Sequence, residues 1–412
     1  MIISAGADAL IFIFLAWGIW RLLGRSIPIA VVPIIIGLVL AASGWLPQGW
    51  GVPSVLGDRI GWVGVLLLAF TAGLETRQST HVGPPGGMPV ASRRSALQFI
   101  ASAGLALLLP FAVGAFAAYH YFSVLPNWAA PNGDRMLGAI AIGLCIAVSA
   151  LPVLIGIVRE LGPLHRPLTQ VAVRIAVVDD AALWIGLAVL LLVAGGDAAL
   201  SAGSTRTALA LAIPVGLLAL GRVSRRRNLV PPTWAIWLAL PLYLAAGSWA
   251  TSQLGLHALL GAYFAGAMVP PAWTRKLPVE RLGQFALLGL APLFFGHSGL
   301  KIDGDALGWA SLEASLALLA LAVLAKLAAV AICPPSSALS RRETLAIGAL
   351  LQCKGLMEIV AATILRDKGL LSEHAFAALV TLAVLSTLLT GPFFRFVLGR
   401  KAEHAQSGSQ PV

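Results

Sequence analysis

Charged side chains are scarce in this chain of 412 residues, because Asp, Glu, Lys and Arg together make up only 11% of it. Soluble domains contain about 25% of these residues, and hydrophobic types reach 58% here. A water-soluble globule with a polar shell is therefore excluded. Cysteine is also scarce, and its three residues cannot form the framework of a disulfide-rich secreted domain. Most of the chain must lie inside a lipid bilayer.

Acidic residues are fewer than basic ones, with 17 Asp and Glu against 28 Lys and Arg and a net charge of +11. In a soluble protein such a balance would suggest nucleic acid as a partner. Here the basic residues are dispersed in short segments between apolar runs. The pattern therefore indicates membrane topology, with the bilayer as partner and no nucleic acid.

The apolar runs predict thirteen transmembrane helices joined by short loops. The loops of one set hold 18 basic residues, those of the opposite set hold 6, and the remaining 4 lie within the helices. Because basic loops stay on the cytoplasmic side, we predict an external N-terminus and a cytoplasmic C-terminus. The first run has no basic region before it, so it does not read as a cleavable signal peptide.

An odd number of helices is compatible with two six-helix halves in inverted orientation around one linker helix, an arrangement common in secondary transporters. The sequence contains no convincing residue-level repeat, so this is an inference about architecture. The predicted segments are helices 1–3 in 1–75, a cytoplasmic loop in 76–95, helices 4–6 in 96–195, the linker helix 7 in 206–221, helices 8–10 in 230–300, helices 11–13 in 308–397, and a disordered cytoplasmic tail in 398–412.

Two adjacent carboxylates, Asp179 and Asp180, lie near the middle of the sixth predicted helix. A charge at the bilayer centre costs roughly 2.5–3.5 kcal/mol on insertion scales. The alternative is a helix-capping Asp in a loop, but residues 168–185 contain no Gly or Pro that would indicate a loop. Two close carboxylates bind a small cation and titrate as a coupled pair. We therefore expect a proton and cation site here.

A buried ammonium on the eleventh helix, Lys326, needs a counter-charge, and Asp179 or Asp180 is the best available partner. The alternative is a side chain that extends to the membrane surface.

Two further segments are candidates for broken helices. In the twelfth predicted helix, Lys354 and Glu358 have i, i+4 spacing and can face each other, either as a structural pair or as part of transport, and Gly355 permits a break. In the fifth, Ser149 is followed by Pro152, and a proline in mid-helix frees a backbone carbonyl for an ion.

One histidine, His297, lies near the outer end of the tenth predicted helix. Two interpretations stay open for it, a pH-sensing group and a packed or interface histidine.

Six short motifs in one order resemble those of the bacterial monovalent cation:proton antiporters, the second branch of the cation:proton antiporter superfamily, which have the sodium/hydrogen exchanger fold. The resemblance runs from about Ile27 to Phe394. The motifs are Leu68–Glu75, Ser149–Leu154, Val178–Asp180, Gly255–Ala262, Pro292–Phe295 with Ser298–Lys301, and Lys354–Glu358.

The resemblance implies a homodimer in which each subunit has a scaffold (helices 1–3 and 8–10) and a mobile core (helices 4–6 and 11–13). It implies that the fifth and twelfth helices are unwound and cross near Ser149–Pro152 and Gln352–Gly355. In such families the second Asp binds the ion, here Asp180, and the first pairs with a lysine of the eleventh helix, here Asp179 with Lys326.

The activity that the resemblance implies is exchange of a monovalent cation, Na⁺ by preference, for protons by alternating access. The exchange would be electrogenic and would take place in the plasma (inner) membrane, with no cofactor and no enzymatic reaction. The chain departs from the family in two places. It has Gln352-Cys353-Lys354-Gly355 where Asn-x-Arg-Gly is common, and His297 where a small or apolar residue is usual.

Three other functions are alternatives. A K⁺/H⁺ antiporter or a K⁺ efflux system would use the same fold, although the regulatory domain of an efflux system is not evident. An intramembrane aspartyl protease needs carboxylates from two helices to converge on a water, whereas Asp179 and Asp180 are sequential, and Asp303 and Asp305 fall in a predicted loop. A receptor would need a ligand-binding domain outside the membrane, and the sequence shows no segment for one.

Overall fold

The computed structural model describes residues 2–22, 29–45, 50–79, 93–132, 134–161, 165–195, 205–227, 230–254, 256–302, 306 and 308–398. Within these ranges the regular structure is entirely helical. The helices are α1 Ile2–Ala9, α2 Ala16–Leu22, α3 Val32–Ser43, α4 Val55–Ser79, α5 Arg93–His120, α6 Arg135–Ala147, α7 Leu151–Leu161, α8 Arg166–Ala194, α9 Thr205–Arg226, α10 Thr233–Gln253, α11 Ala258–Met268, α12 Pro271–Thr274, α13 Val279–Phe285, α14 Ala291–Leu300, α15 Trp309–Ile332, α16 Arg341–Leu350, α17 Leu356–Asp367 and α18 Glu373–Leu398. Two π-helical segments, Leu10–Leu15 and Ala286–Leu290, join α1 to α2 and α13 to α14.

The helices form two compact units. The first unit comprises the described residues of Met1–Val82 and Trp184–Gly304, and the second comprises those of Gly83–Leu183 and Asp305–Val412. Helix α8 therefore contributes its first part to the second unit and its last part to the first.

In the first unit, α4 packs against α11 and α14, and α14 also packs against α3. Small residues allow the backbones to approach closely, as membrane helices often require. A side chain at Gly266 of α11 would collide with the backbone carbonyl of Phe70 on α4, and one at Gly73 would collide with that of Tyr263. Further along the unit, α10 packs against α9 and α11.

In the second unit, α5 packs against α6 and α15, while α18 packs against α15, α16 and α17. Side chains cap the starts of several of these helices. Asp134 accepts a hydrogen bond from the Leu137 N–H at the start of α6. Ser340 and Glu343 form a reciprocal capping box at the start of α16. These caps satisfy amide groups that have no partner within the helix.

Six of the described helical stretches are long and apolar enough to cross a membrane. They are Ser4–Leu22, Val55–Glu75, Arg94–Val124, Pro167–Ala194, Trp309–Ile332 and Glu373–Leu398. The predicted all-helical polytopic fold is therefore confirmed in its class. The count of thirteen helices, the inverted repeat and the orientation of the termini stay predictions.

The predicted loop at 76–95 is shorter at both ends in the structure, because α4 continues to Ser79 and α5 begins at Arg93. Polar and basic side chains are tolerated in the terminal turns of membrane helices because they can reach the aqueous interface. The centre of that loop at 80–92, the tail from residue 399, and Asp303 and Asp305 lie outside the described residues.

Candidate ion-binding site

Two interrupted helices meet inside the second unit. The fifth predicted span is divided into α6 and α7 by Val148–Ala150, and the twelfth is divided into α16 and α17 by Leu351–Gly355. The Ala150 N–H donates a 2.8 Å hydrogen bond to the Cys353 carbonyl. The backbone thus joins the two interruptions directly. Pro152 falls in the first turn of α7, where a missing N–H costs no helical hydrogen bond.

A buried ion pair lies next to this crossing. The Lys326 Nζ is 2.8 Å from Asp179 Oδ2, 2.6 Å from Ser149 Oγ and 2.7 Å from the Ala147 carbonyl. An ammonium has three protons and no acceptor, so these three oxygens use its entire donor capacity. Both side chains of the ion pair are at most 1% exposed.

Ser149 connects the ion pair to the second interruption. Its hydroxyl lies 2.7 Å from Asp179 Oδ2 and 2.7 Å from the Leu351 carbonyl, and its single proton can be donated to either oxygen. A carboxylate, a hydroxyl and freed carbonyls therefore converge within hydrogen-bond distance of one another. Oxygen atoms of these kinds are the ligands that small hard cations prefer.

Asp180 follows Asp179 on α8 and is also buried, at 1% exposure. Consecutive residues of an α-helix point about 100° apart. The ion pair of Lys326 is made by Asp179, so the two carboxylates of this pair occupy different surroundings. One is engaged by an ammonium and a hydroxyl, and the other lies beside it on the same helix.

The helix that would carry Lys354 and Glu358 at i, i+4 spacing is interrupted between the two residues. Lys354 lies in the unwound segment, and α17 begins at Leu356. Its ammonium donates hydrogen bonds to the carbonyls of Ile146 and, at 2.7 Å, Val148. These carbonyls belong to the last turn and C-cap of α6, where the helix leaves them without intrahelical partners.

Glu358 is buried in the first turn of α17 at 1% exposure. Among the described residues, neither of its carboxylate oxygens has a hydrogen-bond partner. Gly355 is required by packing rather than by backbone conformation. A side-chain carbon there would lie 2.8 Å from a Val153 methyl and 2.9 Å from the Ala150 side chain.

The structure therefore brings Ser149, Asp179 and Lys326 into direct contact, and it places Lys354 against the end of α6. One contributor is absent from the sequence analysis. The Thr387 hydroxyl donates to the Lys354 carbonyl and fixes the second interruption from α18. A threonine in an apolar helix has no distinguishing pattern, so no signal in the sequence singles it out.

Comparison with known proteins finds a family model and several relatives that match most of this chain. The model of the family described as "sodium/hydrogen exchanger, transmembrane" matches residues 9–400. The chain is 25% identical over 382 residues to the Na(+)/H(+)-K(+) antiporter GerN of Bacillus cereus, and the match covers 91% of each protein. It is 25% identical over 341 residues to the Na(+)/H(+) antiporter NhaS4 of Synechocystis, covering 80% of this chain and 79% of that protein.

Plant proteins match as well. The chain is 28% identical over 353 residues to the cation/H(+) antiporter 19 of Arabidopsis thaliana. That match covers 82% of this chain and 42% of the plant protein. The chain spans 40% to 48% of the lengths of four such Arabidopsis antiporters.

A solved structure has the same fold. The sodium proton antiporter MjNhaP1 of Methanocaldococcus jannaschii superposes with a TM-score of 0.60 at 15% identity, covering 99% of this chain and 97% of that one. Because the family model matches nearly the whole chain and the fold agrees over its full length, this protein belongs to the sodium/hydrogen exchanger family of cation:proton antiporters.

Proposed function

We propose that the protein exchanges a monovalent cation, with Na⁺ favoured, for protons by alternating access. One observation carries this proposal. A carboxylate and an ammonium, Asp179 and Lys326, are paired in the buried interior beside a second carboxylate, Asp180, at the crossing of two interrupted helices. Ionisable groups inside a membrane protein are costly and mark ion or proton pathways.

In this proposal Asp180 binds the cation and releases a proton when it does so. A carboxylate is suited to both tasks because it offers an anionic oxygen ligand and a removable proton. The incoming cation also attracts Asp179 and competes with Lys326 for it. The ammonium that loses its counter-ion in a dry interior is costly to keep charged, so Lys326 releases a second proton. Two protons against one cation make the exchange electrogenic.

The interruptions supply the remaining ligands and the means of movement. Freed carbonyls and the ends of half-helices are suited to hold cations at mid-membrane depth. The Ser149 hydroxyl touches both Asp179 and the Leu351 carbonyl. A displacement of either interrupted helix would therefore change the oxygen set that surrounds the carboxylates.

The alternative cation is K⁺. Among relatives, GerN is named a Na(+)/H(+)-K(+) antiporter, and a match of 25% identity over 313 residues is named K(+)/H(+) antiporter 1 of Saccharomyces cerevisiae. We also propose a homodimer in the plasma (inner) membrane, with thirteen helices in an inverted repeat, an external N-terminus and a cytoplasmic C-terminus. These details rest on the resemblance and on the distribution of basic loops.

The test uses purified protein in liposomes that carry an imposed pH gradient, which a trapped dye reports. Na⁺, Li⁺ and K⁺ are added in turn, and each transported cation should release protons from the lumen. Asp180→Asn should give a folded protein without this response, because an amide has neither the negative charge nor the proton. Asp367→Asn, on the exposed end of α17, is the matched control and should exchange normally. Robust exchange by Asp180→Asn would refute the assignment.

A further inference from the structure

A second buried polar cluster lies in the first unit, where α1, α4 and α14 approach one another. Asp8 of α1 is completely buried, at 0% exposure. One of its carboxylate oxygens, Oδ2, accepts hydrogen bonds from the Ser54 N–H at 3.0 Å and from the Ser54 hydroxyl. The other, Oδ1, lies 3.1 Å from Nε2 of His297 on α14.

The imidazole of His297 faces another carboxylate with its second nitrogen. Its Nδ1 lies 3.6 Å from Asp58 Oδ1 on α4, and that same oxygen lies 3.1 Å from the Lys301 Nζ. The side chain of His297 is 1% exposed, whereas Asp58 is 35% and Lys301 is 47% exposed. Polar groups therefore lead without interruption from the surface to the buried Asp8.

His297 lies between two carboxylates. A carboxylate oxygen is 3.1 Å from one ring nitrogen and 3.6 Å from the other, although neither contact has the geometry of a hydrogen bond. A positive charge on the ring would be attracted by both carboxylates. It would also balance the charges, because two carboxylates then meet one ammonium and one imidazolium.

The described elements that pack against α14 add few other ionisable groups near His297. Helix α14 packs against α3, α4 and the two π-helical segments. Neither α3 nor these segments contains an ionisable side chain, and Asp8 is the ionisable residue of α1. Helix α4 adds the exposed Arg59 beside Asp58, while Glu75 and Arg77 lie at its other end, about 25 Å away along the helix.

Two glycines allow close packing around the cluster. A side-chain carbon at Gly57 would collide with the Asp8 carboxylate, and one at Gly296 would collide with the Phe12 ring. That ring packs edge-on against His297, with ring centroids 5.5 Å apart. In interiors of this density, an unpaired charge has to be neutralised or the packing has to open.

We propose that Asp8, His297 and Asp58 form a proton-binding site in the first unit, separate from the Asp179 and Lys326 pair, whose bound proton holds α1, α4 and α14 together. The proton arrives from the aqueous side at which Asp58 and Lys301 are exposed. Its loss leaves Asp8 buried against a neutral ring and weakens the contact between α1 and α14.

The sign of the pH dependence follows from this geometry. The contact is strongest while the proton is bound, so its contribution to stability decreases when the pH rises far enough to remove that proton.

The experiment is a double-mutant cycle on the purified full-length protein, followed through the midpoint of thermal unfolding between mildly acidic and alkaline pH. The cycle compares wild type, Asp8→Asn, His297→Gln and the double variant, because coupled residues give non-additive changes. We expect the two substitutions to be strongly non-additive at acidic pH and nearly additive at alkaline pH. Exchange activity is not the readout, so the result is independent of the transport proposal.

The matched control is His257→Gln combined with Asp8→Asn. His257 is also in the first unit, where its Nδ1 accepts the Leu259 N–H at 3.3 Å and its ring stacks on Trp62. This pair should be additive at every pH. If His297→Gln does not fold, Asp58→Asn at the exposed end of the cluster replaces it in the cycle. Coupling that is absent, or that has the same size at every pH, would overturn the proposal.

Discussion

The ammonium of Lys326 donates all three of its protons within the second unit, to Ala147, Ser149 and Asp179. A buried ion pair of this kind is worth little over an apolar pair of equal shape. Removal of one partner, however, leaves an uncompensated charge in the interior and costs roughly 3–5 kcal/mol. The role of Lys326 can therefore be tested through the free energy of unfolding, independently of transport.

Lys326→Gln should therefore lower the free energy of unfolding by about 3–5 kcal/mol, because Asp179 loses its counter-charge. The double variant with Asp179→Asn should recover much of that loss, since no charge is then left unpaired. Denaturant unfolding in detergent measures both changes. A double variant as unstable as the single one would show that Asp179 is not the partner that matters.

The same substitution also tests the stoichiometry. In liposomes at a clamped membrane potential, a folded Lys326→Gln variant should exchange one proton for each cation, so its rate should not depend on the potential.

Individual residues also show where sequence reasoning stops. The spacing of Lys354 and Glu358 allows a helical pair, but it does not reveal that Lys354 lies in an unwound segment and donates to the carbonyls at the end of α6. Sequence reasoning also misses Asp8, although a lone acid within an apolar run is a signal. Its partner His297 lies far along the chain, and no local pattern joins the two.

The interrupted helices depend on close contact at one glycine. Gly355 precedes α17, and a side-chain carbon there would approach Val153 and Ala150 to less than 3.0 Å. Gly156 of α7 differs, because among the described residues no atom outside its own helix backbone and its chain neighbours lies within 4 Å of the position that its side chain would occupy. A comparison of substitutions at these two glycines therefore distinguishes a packing requirement from the general effect of glycine on helix stability.

Gly355→Ala should destabilise the protein by about 1–3 kcal/mol, the usual cost of overpacking, and should slow exchange because the two interruptions are forced apart. Gly156→Ala should leave exchange unchanged and raise the free energy of unfolding by about 0.5–1 kcal/mol, since alanine is the better helix former. Unfolding midpoints and liposome rates report the two effects. Equal behaviour of the two variants would contradict a packing role for Gly355.

For the molecule as a whole, much of the architecture follows from composition and motif order. The family and the all-helical class are confirmed by the match to residues 9–400 and by the fold. The number of membrane crossings stays a prediction, because several predicted spans, including the fifth and twelfth, are assembled from short helices. Hydropathy detects an apolar run, but it does not detect whether the backbone within that run stays helical.

For the whole transport cycle, we predict that the cation and the proton compete for one site. If both use the carboxylates of Asp179 and Asp180, the apparent affinity for Na⁺ should weaken as the pH falls, because protons then occupy the oxygens that the cation needs. Exchange rates over a matrix of Na⁺ concentrations and pH values in liposomes measure this. Addition of a saturating cation concentration should restore the maximal rate at low pH. An affinity that is constant over several pH units would require separate sites.

The burial of two ammonium groups, Lys326 and Lys354, near the same crossing has a consequence for the valence of the cargo. Repulsion grows in proportion to the charge of the incoming ion, so a divalent ion meets twice the repulsion from these two ammonium groups that a monovalent ion at the same distance meets. We expect Mg²⁺ and Ca²⁺ neither to release protons from the liposome lumen nor to slow Na⁺ exchange, whereas Lys354→Gln should allow them to compete. The lysines that donate hydrogen bonds at the crossing would then also make the site selective for monovalent over divalent cations.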